Sequence, residues 1–287
     1  MPVRWMILWL GPIIISHRAL FGLYRERIAS DDRLSALYML PIASILLLWL
    51  EADAGYPIQK EQRKLAGTIS ALGVMSGLLG ETLFQGVWGN LAQWPLIVLS
   101  LAAGFAFCYG WGSLRARIAA FSLLALSAPP PDAVLTAVEA FFQSASANIA
   151  EHLFGTLGVS YIRQGMSFSL PGLMIEVARE CSGVRSAIGL LVTAFVLGRI
   201  VMRTNVSRVA LCLWALPVAM VKNGIRIAVL ATLGVWVSPD VLRGPLHRYG
   251  GVVFFVVALC LFAPAVLFLQ NSERKRLDLQ QARIDIK

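Results

Sequence analysis

Long apolar segments alternate with short charged clusters along most of the chain. A helix needs about 20 apolar residues to span a bilayer, with about 17 as the lower limit. Segments that reach or approach this length predict membrane spans at residues 34–50, 65–83, 94–112, 118–128, 186–202, 206–221 and 251–269. A further apolar stretch at 5–16 lacks a small-residue cleavage site after it and is predicted to be retained. The sequence therefore predicts an all-α, polytopic helical membrane protein with seven or eight membrane spans.

A small-residue face occurs in the second of these segments. Gly73 and Gly77 are spaced so that both lie on one side of a helix. Small residues at this spacing let two helix backbones approach closely in a membrane. We therefore expect this face to pack against another helix.

Residues 132–177 show a different pattern. Residues 132–160 mix polar side chains with Ala, Leu and Phe, which predicts a short amphipathic helix at the membrane surface. Its polar side chains include Glu139, Gln143, Asn148, Glu151 and His152. Residues 161–177 are predicted to be extended, because apolar and polar residues alternate at 166–170 and a turn signal follows at Pro171 and Gly172.

Composition and charge narrow the class of protein. Charged residues make up 14% of the chain, against about 25% in soluble domains. This deficit argues against a disordered chain and an ordinary cytosolic enzyme. The net charge is +9, but the basic residues punctuate apolar segments and form no patch on a soluble fold, so no nucleic-acid partner is predicted. The four cysteines form no CxxC pair, and neither a disulfide framework, a metal site nor an organic cofactor is predicted.

Three polar islands interrupt the C-terminal half at residues 179–185, 222–226 and 243–251. At about 1.5 Å per helical residue, each lies one membrane thickness of about 30 Å from an arginine-bearing terminus. We therefore expect the three islands on the same face of the membrane. Residues 227–238 lie between the second and third islands and are predicted to be the overhang of a long helix, a re-entrant piece or an interfacial piece. A full span there would separate His247 from Arg226.

Cys181 differs from the other cysteines. It lies between Arg179 and Arg185 and just before a predicted spanning helix. Nearby cations and a helix N-terminus both favour the nucleophilic thiolate. The residues alone leave a nucleophile and a structural thiol equally open. The cysteines at 108, 212 and 260 lie in apolar spans, where a structural role is expected.

Two further residues in the islands have the chemistry of a catalytic site. Arg226 fits either an arginine at a helix end or a fixed cation that stabilises a thiolate or an oxyanion. Asn223 precedes it on the same helical face and is placed to orient it. His247 fits either an interfacial histidine or a general acid/base. For His17 and His152, which lack such polar neighbours, we expect structural roles.

The order of three motifs resembles the exosortase/archaeosortase family. The motifs are Cys181-Ser182-Gly183, Asn223-x-x-Arg226 and His247-x-x-Gly250, with membrane spans between them. The proline run at 129–131, the predicted surface helix and the extended segment also fit. The resemblance covers roughly residues 118–269. It divides the chain into N-terminal transmembrane helices at 1–117, a catalytic membrane core at 118–270 and a basic cytoplasmic tail at 271–287.

The resemblance implies a multi-pass cysteine peptidase or transpeptidase of the bacterial cytoplasmic membrane, with its active site on the extracytoplasmic side. Such an enzyme cleaves a C-terminal sorting signal of a secreted protein, made of a short motif, a hydrophobic helix and a basic end. It then transfers the new carboxyl group to an acceptor. By analogy Cys181 is the nucleophile, Arg226 its thiolate or oxyanion partner and His247 the acid/base. Supporting or substrate-binding roles fall to Asn223, Ser182, Gly183, Arg185 and Gly250.

The implied partners are secreted proteins with a C-terminal hydrophobic helix, together with membrane lipid. Hydrolysis and transpeptidation both remain open, because water, an amine or an alcohol resolves a thioester. The main rival is a transporter or a lipid-handling protein whose basic islands bind phosphate or carboxylate. The sequence lacks an inverted repeat with paired broken helices, which argues against it. A non-catalytic membrane subunit is a third alternative, and it predicts that Cys181 tolerates Ser or Ala.

Overall fold

The computed structural model describes residues 3–51, 60–83, 87–179, 182–242 and 245–285. Within these ranges the chain forms eleven α-helices and one three-stranded antiparallel sheet. The contacts divide the chain into two compact units, Met1–Pro129 and Pro130–Lys287. We call them the N-terminal unit and the C-terminal unit. The boundary predicted at residue 118, between the N-terminal helices and the catalytic membrane core, is a functional one and stays a prediction.

The N-terminal unit is entirely helical in its described part. Its elements are α1 (Val3–Ser16), α2 (Arg18–Ser30), a 3-10 helix (Asp32–Tyr38), α3 (Met39–Leu50), α4 (Lys60–Leu83), α5 (Val87–Tyr109), α6 (Trp111–Ala116) and α7 (Ile118–Leu126). Helix α4 packs along α5, α1 packs against both, and α3 packs on α7.

The small-residue face of α4 is at the centre of this packing. A Cβ atom on Gly73 would lie 1.5 Å from Oγ of Ser100 on α5. A Cβ atom on Gly77 would lie 2.5 Å from the ring of His17. An added Cβ atom would therefore clash with Ser100 at Gly73 and with His17 at Gly77. The predicted close packing of this face of α4 is confirmed.

The C-terminal unit is built around one long helix. Its elements are α8 (Asp132–Thr156), β1 (Ile162–Gln164), β2 (Ser167–Leu170), β3 (Leu173–Glu176), α9 (Val184–Val201), α10 (Asn205–Trp236), a 3-10 helix (Pro239–Leu242) and α11 (Pro245–Asp285). Helix α10 contacts α8, α9 and α11. The predicted helix at 132–160 is confirmed as α8. Its location at the membrane surface stays a prediction.

The predicted extended segment forms the small sheet. Strands β2 and β3 are joined at Pro171 and Gly172, and Gly172 has φ +70°. Pro followed by Gly at positive φ is typical of the two central positions of a type II turn. The predicted turn is therefore confirmed. Phe168 of β2 is fully buried against α8 and α10, which fixes one face of the sheet to the helices. The apolar cluster beneath it contains Ala147, Ala150, Phe154, Ala228 and Ala231.

Four described helices are long and apolar enough to cross a membrane. They cover Arg33–Leu50, Val184–Val201, Asn205–Trp236 and Gly251–Arg276, and a shorter apolar helix covers Gln93–Tyr109. The protein is therefore a helical membrane protein, as predicted. The described residues support four spans, and the predicted count of seven or eight is not confirmed. One reason is that α7 has 9 residues and extends only about 14 Å at 1.5 Å per residue.

Residues 227–238 do not form a separate element, because α10 continues through them to Trp236. The helix has 32 residues and is about 48 Å long, well beyond the apolar thickness of about 30 Å. Of the three predicted alternatives, the structure shows the overhang of a long helix. No span separates the end of α10 from the start of α11 in the described part of the chain.

At the other end of the unit, Glu273 connects α11 to the turn between α9 and α10. Its carboxylate accepts hydrogen bonds from the backbone N–H groups of Arg203 at 3.0 Å and Thr204 at 2.9 Å, and from Oγ1 of Thr204 at 2.6 Å. The turn between α9 and α10 therefore lies beside the basic end of α11.

Candidate active site

Helix α8 holds two parts of the chain that are distant in sequence. The Gln143 side chain donates a hydrogen bond from Nε2 to the carbonyl oxygen of Val177, just after β3. One turn later, Oγ of Ser146 accepts a hydrogen bond of 3.1 Å from Nδ2 of Asn223 on α10. Residues three apart share a face of a helix. One turn of α8 thus fixes both the segment that leads to the cysteine motif and the Asn-x-x-Arg motif.

Gly183 packs directly on Asn223. It begins α9 with φ +86°, a conformation that costs an L-residue about 1–2 kcal/mol. A Cβ atom at this position would lie 2.9 Å from Cγ of Asn223. Two features therefore require glycine at position 183: its positive φ and its close approach to Asn223. This contact brings the Cys-Ser-Gly motif and the Asn-x-x-Arg motif together.

A buried ammonium group lies beside this contact. Lys222 is 5% exposed, and its Nζ donates a hydrogen bond of 2.6 Å to Oγ of Ser186 in the first turn of α9. The Ser186 hydroxyl in turn donates to the carbonyl oxygen of Gly183 at 2.9 Å. Half-buried Arg226 follows one turn later on α10. The Lys222 ammonium therefore lies at the positive end of the α9 dipole, with Arg226 one turn away on α10, and this charge favours an anion nearby.

The structure places the predicted site residues unevenly. Ser182 is buried, and its backbone N–H donates to the carbonyl oxygen of Arg179 at 3.0 Å. Arg185 is exposed in the first turn of α9. Cys181 lies outside the described residues, between Arg179 and Ser182, which the hydrogen bond holds close together.

The third motif is described only in its backbone. His247 and Gly250 belong to the first turns of α11, which packs against α10 and α9. The His247 side chain lies outside the described part of the structure. The structure therefore brings together Ser182, Gly183 and Asn223, and the roles of Cys181 and His247 stay predictions.

The other histidines have different surroundings. His17 is buried against Gly77, with Nδ1 at 3.0 Å from the carbonyl oxygen of Ile13. His152 is exposed on α8. The structural roles expected for both stay predictions.

Sequence reasoning missed the contributions of Ser146, Ser186 and Lys222. The hydrogen-bonded pairs are separated by 77 positions for Asn223 with Ser146 and by 36 for Lys222 with Ser186. No local pattern links such partners. The one available signal was the polar stripe of α8, whose Gln143 and Ser146 lie one turn apart on one face.

The fold and the site define a helical membrane protein with a cationic polar site at one end of the α9–α10 pair. Residues 28–264 match the family model described as transmembrane exosortase. The match covers more than half of the chain, so the protein belongs to the transmembrane exosortase family, and the resemblance stated from the sequence is confirmed. The match also extends well into the N-terminal unit. Searches of the curated proteins and of the solved structures found no match.

Family membership supports a membrane protein with a sorting-related role. The family is generally one of membrane cysteine peptidases and transpeptidases that act on secreted substrates with C-terminal sorting signals.

Proposed function

We propose that this protein cleaves the C-terminal sorting signal of secreted proteins, as a cysteine peptidase or transpeptidase in the bacterial cytoplasmic membrane. The observation that carries the proposal is the packing of Gly183 on Asn223. This contact joins two of the three family motifs, and Gly183 follows Cys181 by two positions. The proposed substrate carries a short motif, a hydrophobic helix and a basic end.

The proposed reaction is acyl transfer through a thioester. The Cys181 thiolate attacks the scissile carbonyl carbon, and the peptide C–N bond breaks as His247 gives a proton to the leaving amine. The leaving fragment is the hydrophobic helix with its basic end. An amine or alcohol of an acceptor then attacks the thioester, gives up its proton to His247 and restores the thiolate. Water in place of the acceptor yields a free carboxylic acid.

The cations of the site support this chemistry. A thiolate and a tetrahedral oxyanion both carry negative charge. Lys222 contacts the first turn of α9, and Arg226 follows it by one turn on the same face of α10. Removal of a single donor to an oxyanion costs about 10²–10³ in rate in other acyl-transfer enzymes. We therefore assign Arg226 to the thiolate or oxyanion and Asn223 to its positioning.

The arrangement of the two ends of the unit supports an extracytoplasmic site. The Glu273 contact holds the basic end of α11 beside the α9–α10 turn, at the opposite end of α9 from Gly183. Cytoplasmic loops of membrane proteins carry an excess of Lys and Arg. The motif side is also basic, and we assign its basic residues to holding the thiolate, a carboxylate or lipid phosphate. With that end in the cytoplasm, the start of α9 faces outward, where a secreted substrate anchored by its helix presents its motif.

The test is a Cys181→Ala variant in the native host, with the size of a helix-tailed secreted protein followed by immunoblot. Cys260→Ala is the matched control, since Cys260 is an exposed thiol of the same unit. We expect full-length substrate to accumulate with Cys181→Ala only. Unchanged processing by Cys181→Ala at a normal protein level would overturn the nucleophile assignment and make anion or lipid transport the alternative to test.

A further inference from the structure

The open edge of the small sheet leads directly into the cysteine motif. The sheet has the order β1-β2-β3, and no additional strand pairs with β3 among the residues that the structure describes. After Glu176, the last residue of β3, the chain passes through Val177 to the hydrogen bond between Arg179 and Ser182 that brackets Cys181. Strand β3 is thus the edge strand nearest to the proposed nucleophile in sequence.

The hydrogen-bond pattern shows which backbone groups of β3 face outward. The N–H of Val177 donates to the carbonyl oxygen of Met166 at 2.9 Å. In an antiparallel pair, hydrogen-bonded and non-hydrogen-bonded residues alternate. With the observed register, Ile175 therefore faces β2, whereas Met174 and Glu176 direct their N–H groups to the open edge. The carbonyl of Glu176 accepts from Ala178 at 2.9 Å, while that of Met174 faces the edge.

One face of β3 is exposed, and the strand is firmly held. Met174 is 72% exposed, whereas Ile175 packs on the apolar cluster beneath the sheet. At the far side of the sheet, Nη1 of Arg163 donates to Glu151 of α8 at 2.5 Å. At the near side, Gln143 of α8 donates to Val177. The edge strand is therefore held in a fixed position.

The edge also lies close to the site in space. Gln143 and Ser146 are one turn apart on α8, and they contact Val177 and Asn223 respectively. The end of β3 and the polar centre at Asn223 are thus separated by one helical turn, about 5 Å along α8. A peptide bound along β3 would arrive beside the motif residues.

We propose that the segment of the substrate that precedes its hydrophobic helix binds to β3 as a fourth strand and so reaches Cys181. This inference rests on the proposed function and names how that site takes its substrate. A scissile segment must be extended, and backbone hydrogen bonds to a sheet edge hold an extended peptide largely independently of its side chains. From Met174 to Glu176 the open edge is about 7 Å long at about 3.4 Å per residue, which suits a short motif.

The test is disulfide cross-linking of a trapped substrate. The enzyme carries Cys181→Ala together with Met174→Cys. The probe is a helix-tailed secreted protein that accumulates uncleaved in Cys181→Ala cells, with single cysteines placed in turn through the segment before its helix. Side chains of a strand alternate between the two faces. We expect cross-links at every second position of the segment after mild oxidation.

Ile162→Cys is the matched control. Ile162 pairs with Ser169, and Ser169 pairs with Met174, so both side chains lie on the same face of the sheet. Their exposures are 66% and 72%, but Ile162 is on the opposite edge. We expect at least about fivefold less cross-linking from Ile162→Cys. Equal yields from both edges, or yields without alternation along the substrate, would overturn the inference.

A second enzyme position tests the register. Glu176→Cys in place of Met174→Cys moves the thiol by two residues along the same face. The cross-linked substrate positions should then shift by two, in the direction that gives the orientation of the bound strand. An unshifted pattern contradicts strand addition. If Cys181→Ala leaves processing intact, both the proposed function and this inference are wrong. If Cys181 is essential but no cross-link is specific to the β3 edge, only this inference is wrong.

Discussion

In the N-terminal unit, Ser44 and Trp94 donate hydrogen bonds from their side chains to backbone carbonyl groups of α7, at 2.8 and 3.2 Å. In the C-terminal unit, Asn223 and Lys222 instead bond to the side chains of Ser146 and Ser186. A backbone carbonyl persists whatever residue carries it. A side-chain acceptor disappears with one substitution, so the polar centre at Asn223 and Lys222 depends on specific residue pairs.

The two units also differ in what their close glycine contacts join. Gly73 lets α4 approach α5, a contact between two apolar helices. Gly183 lets the start of α9 approach Asn223, a contact between two polar motifs. The first contact sets the distance between helices and the second sets the position of a candidate active site. We therefore expect substitutions at Gly73 to affect mainly protein stability and substitutions at Gly183 to affect mainly substrate processing.

The largest effect is expected from Gly183→Ala. The new methyl group meets Asn223, and the φ of +86° is strained for alanine. Together these costs amount to about 2–5 kcal/mol. We expect substrate processing per enzyme molecule to fall by at least about 30-fold, measured by immunoblot against the amount of enzyme.

Gly158→Ala is the control for backbone strain. Gly158 has φ +69° and nothing within 4 Å of an added Cβ atom. We expect it to lower stability moderately and to leave processing nearly unchanged. An equal loss of processing in both variants would show that the contact with Asn223 has no special role.

The next effect concerns the Lys222 ammonium. Burial of a charged group carries a desolvation cost, and an apolar residue of similar size removes that cost. Lys222→Met should therefore keep the melting temperature while it lowers processing by about tenfold, the loss expected for a weakened cationic site. Full processing by Lys222→Met would restrict this side chain to a structural role.

Ser186→Ala separates the hydrogen bond from the charge. This variant keeps the Lys222 ammonium but removes its bonded oxygen. A buried donor that loses its partner costs about 1–3 kcal/mol. We expect Ser186→Ala to lower the melting temperature in detergent, whereas Lys222→Met should leave it unchanged. A fall of similar size in both variants would contradict this separation.

In the N-terminal unit, Gly73→Ala should reduce stability and leave the chemistry intact. The added methyl group overlaps Ser100, and overpacking of this kind costs about 1–3 kcal/mol. We expect less protein in the membrane and a lower melting temperature, with processing per folded molecule unchanged. Gly22→Ala, at a site with nothing within 4 Å, should show no such loss. A large fall in processing per molecule by Gly73→Ala would remove the contrast between the units.

The elements predicted best from the sequence are those whose signals are local. The alternation at 166–170 and the Pro171-Gly172 signal predicted an extended segment with a turn, because strand period and turn chemistry act over a few residues. The polar–apolar mixture predicted α8. The three motifs gave the family through their order. The Gly73 face predicted close packing, but the identity of its neighbour, Ser100, required the structure.

What the sequence could not give depends on contacts between distant residues. The island at 222–226 left open whether residues 227–238 continue the same helix. The structure shows that α10 runs through the island, with the buried Lys222 hydrogen-bonded to Ser186. Ser146 carries no signal of its own in α8, and only the position of Asn223 gives it a role. Side-chain geometry at the site is therefore a property of the tertiary structure.

The smallest effect is expected from Glu151→Gln, which tests whether a partly exposed ion pair matters as the buried polar pairs do. The side chains of Arg163 and Glu151 are 20% and 35% exposed, and ion pairs at such sites contribute about 0.2–1 kcal/mol. Arg163 also keeps its bond of 2.8 Å to Asn148. We expect a small, salt-sensitive fall in melting temperature and processing within about twofold. Glu61→Gln is the control, since its pair with Lys64 in the N-terminal unit is exposed and its loss should change neither quantity. A large loss of processing by Glu151→Gln without a loss of stability would mean that this pair sets the position of the sheet, and the edge strand would then join the buried pairs as a determinant of activity.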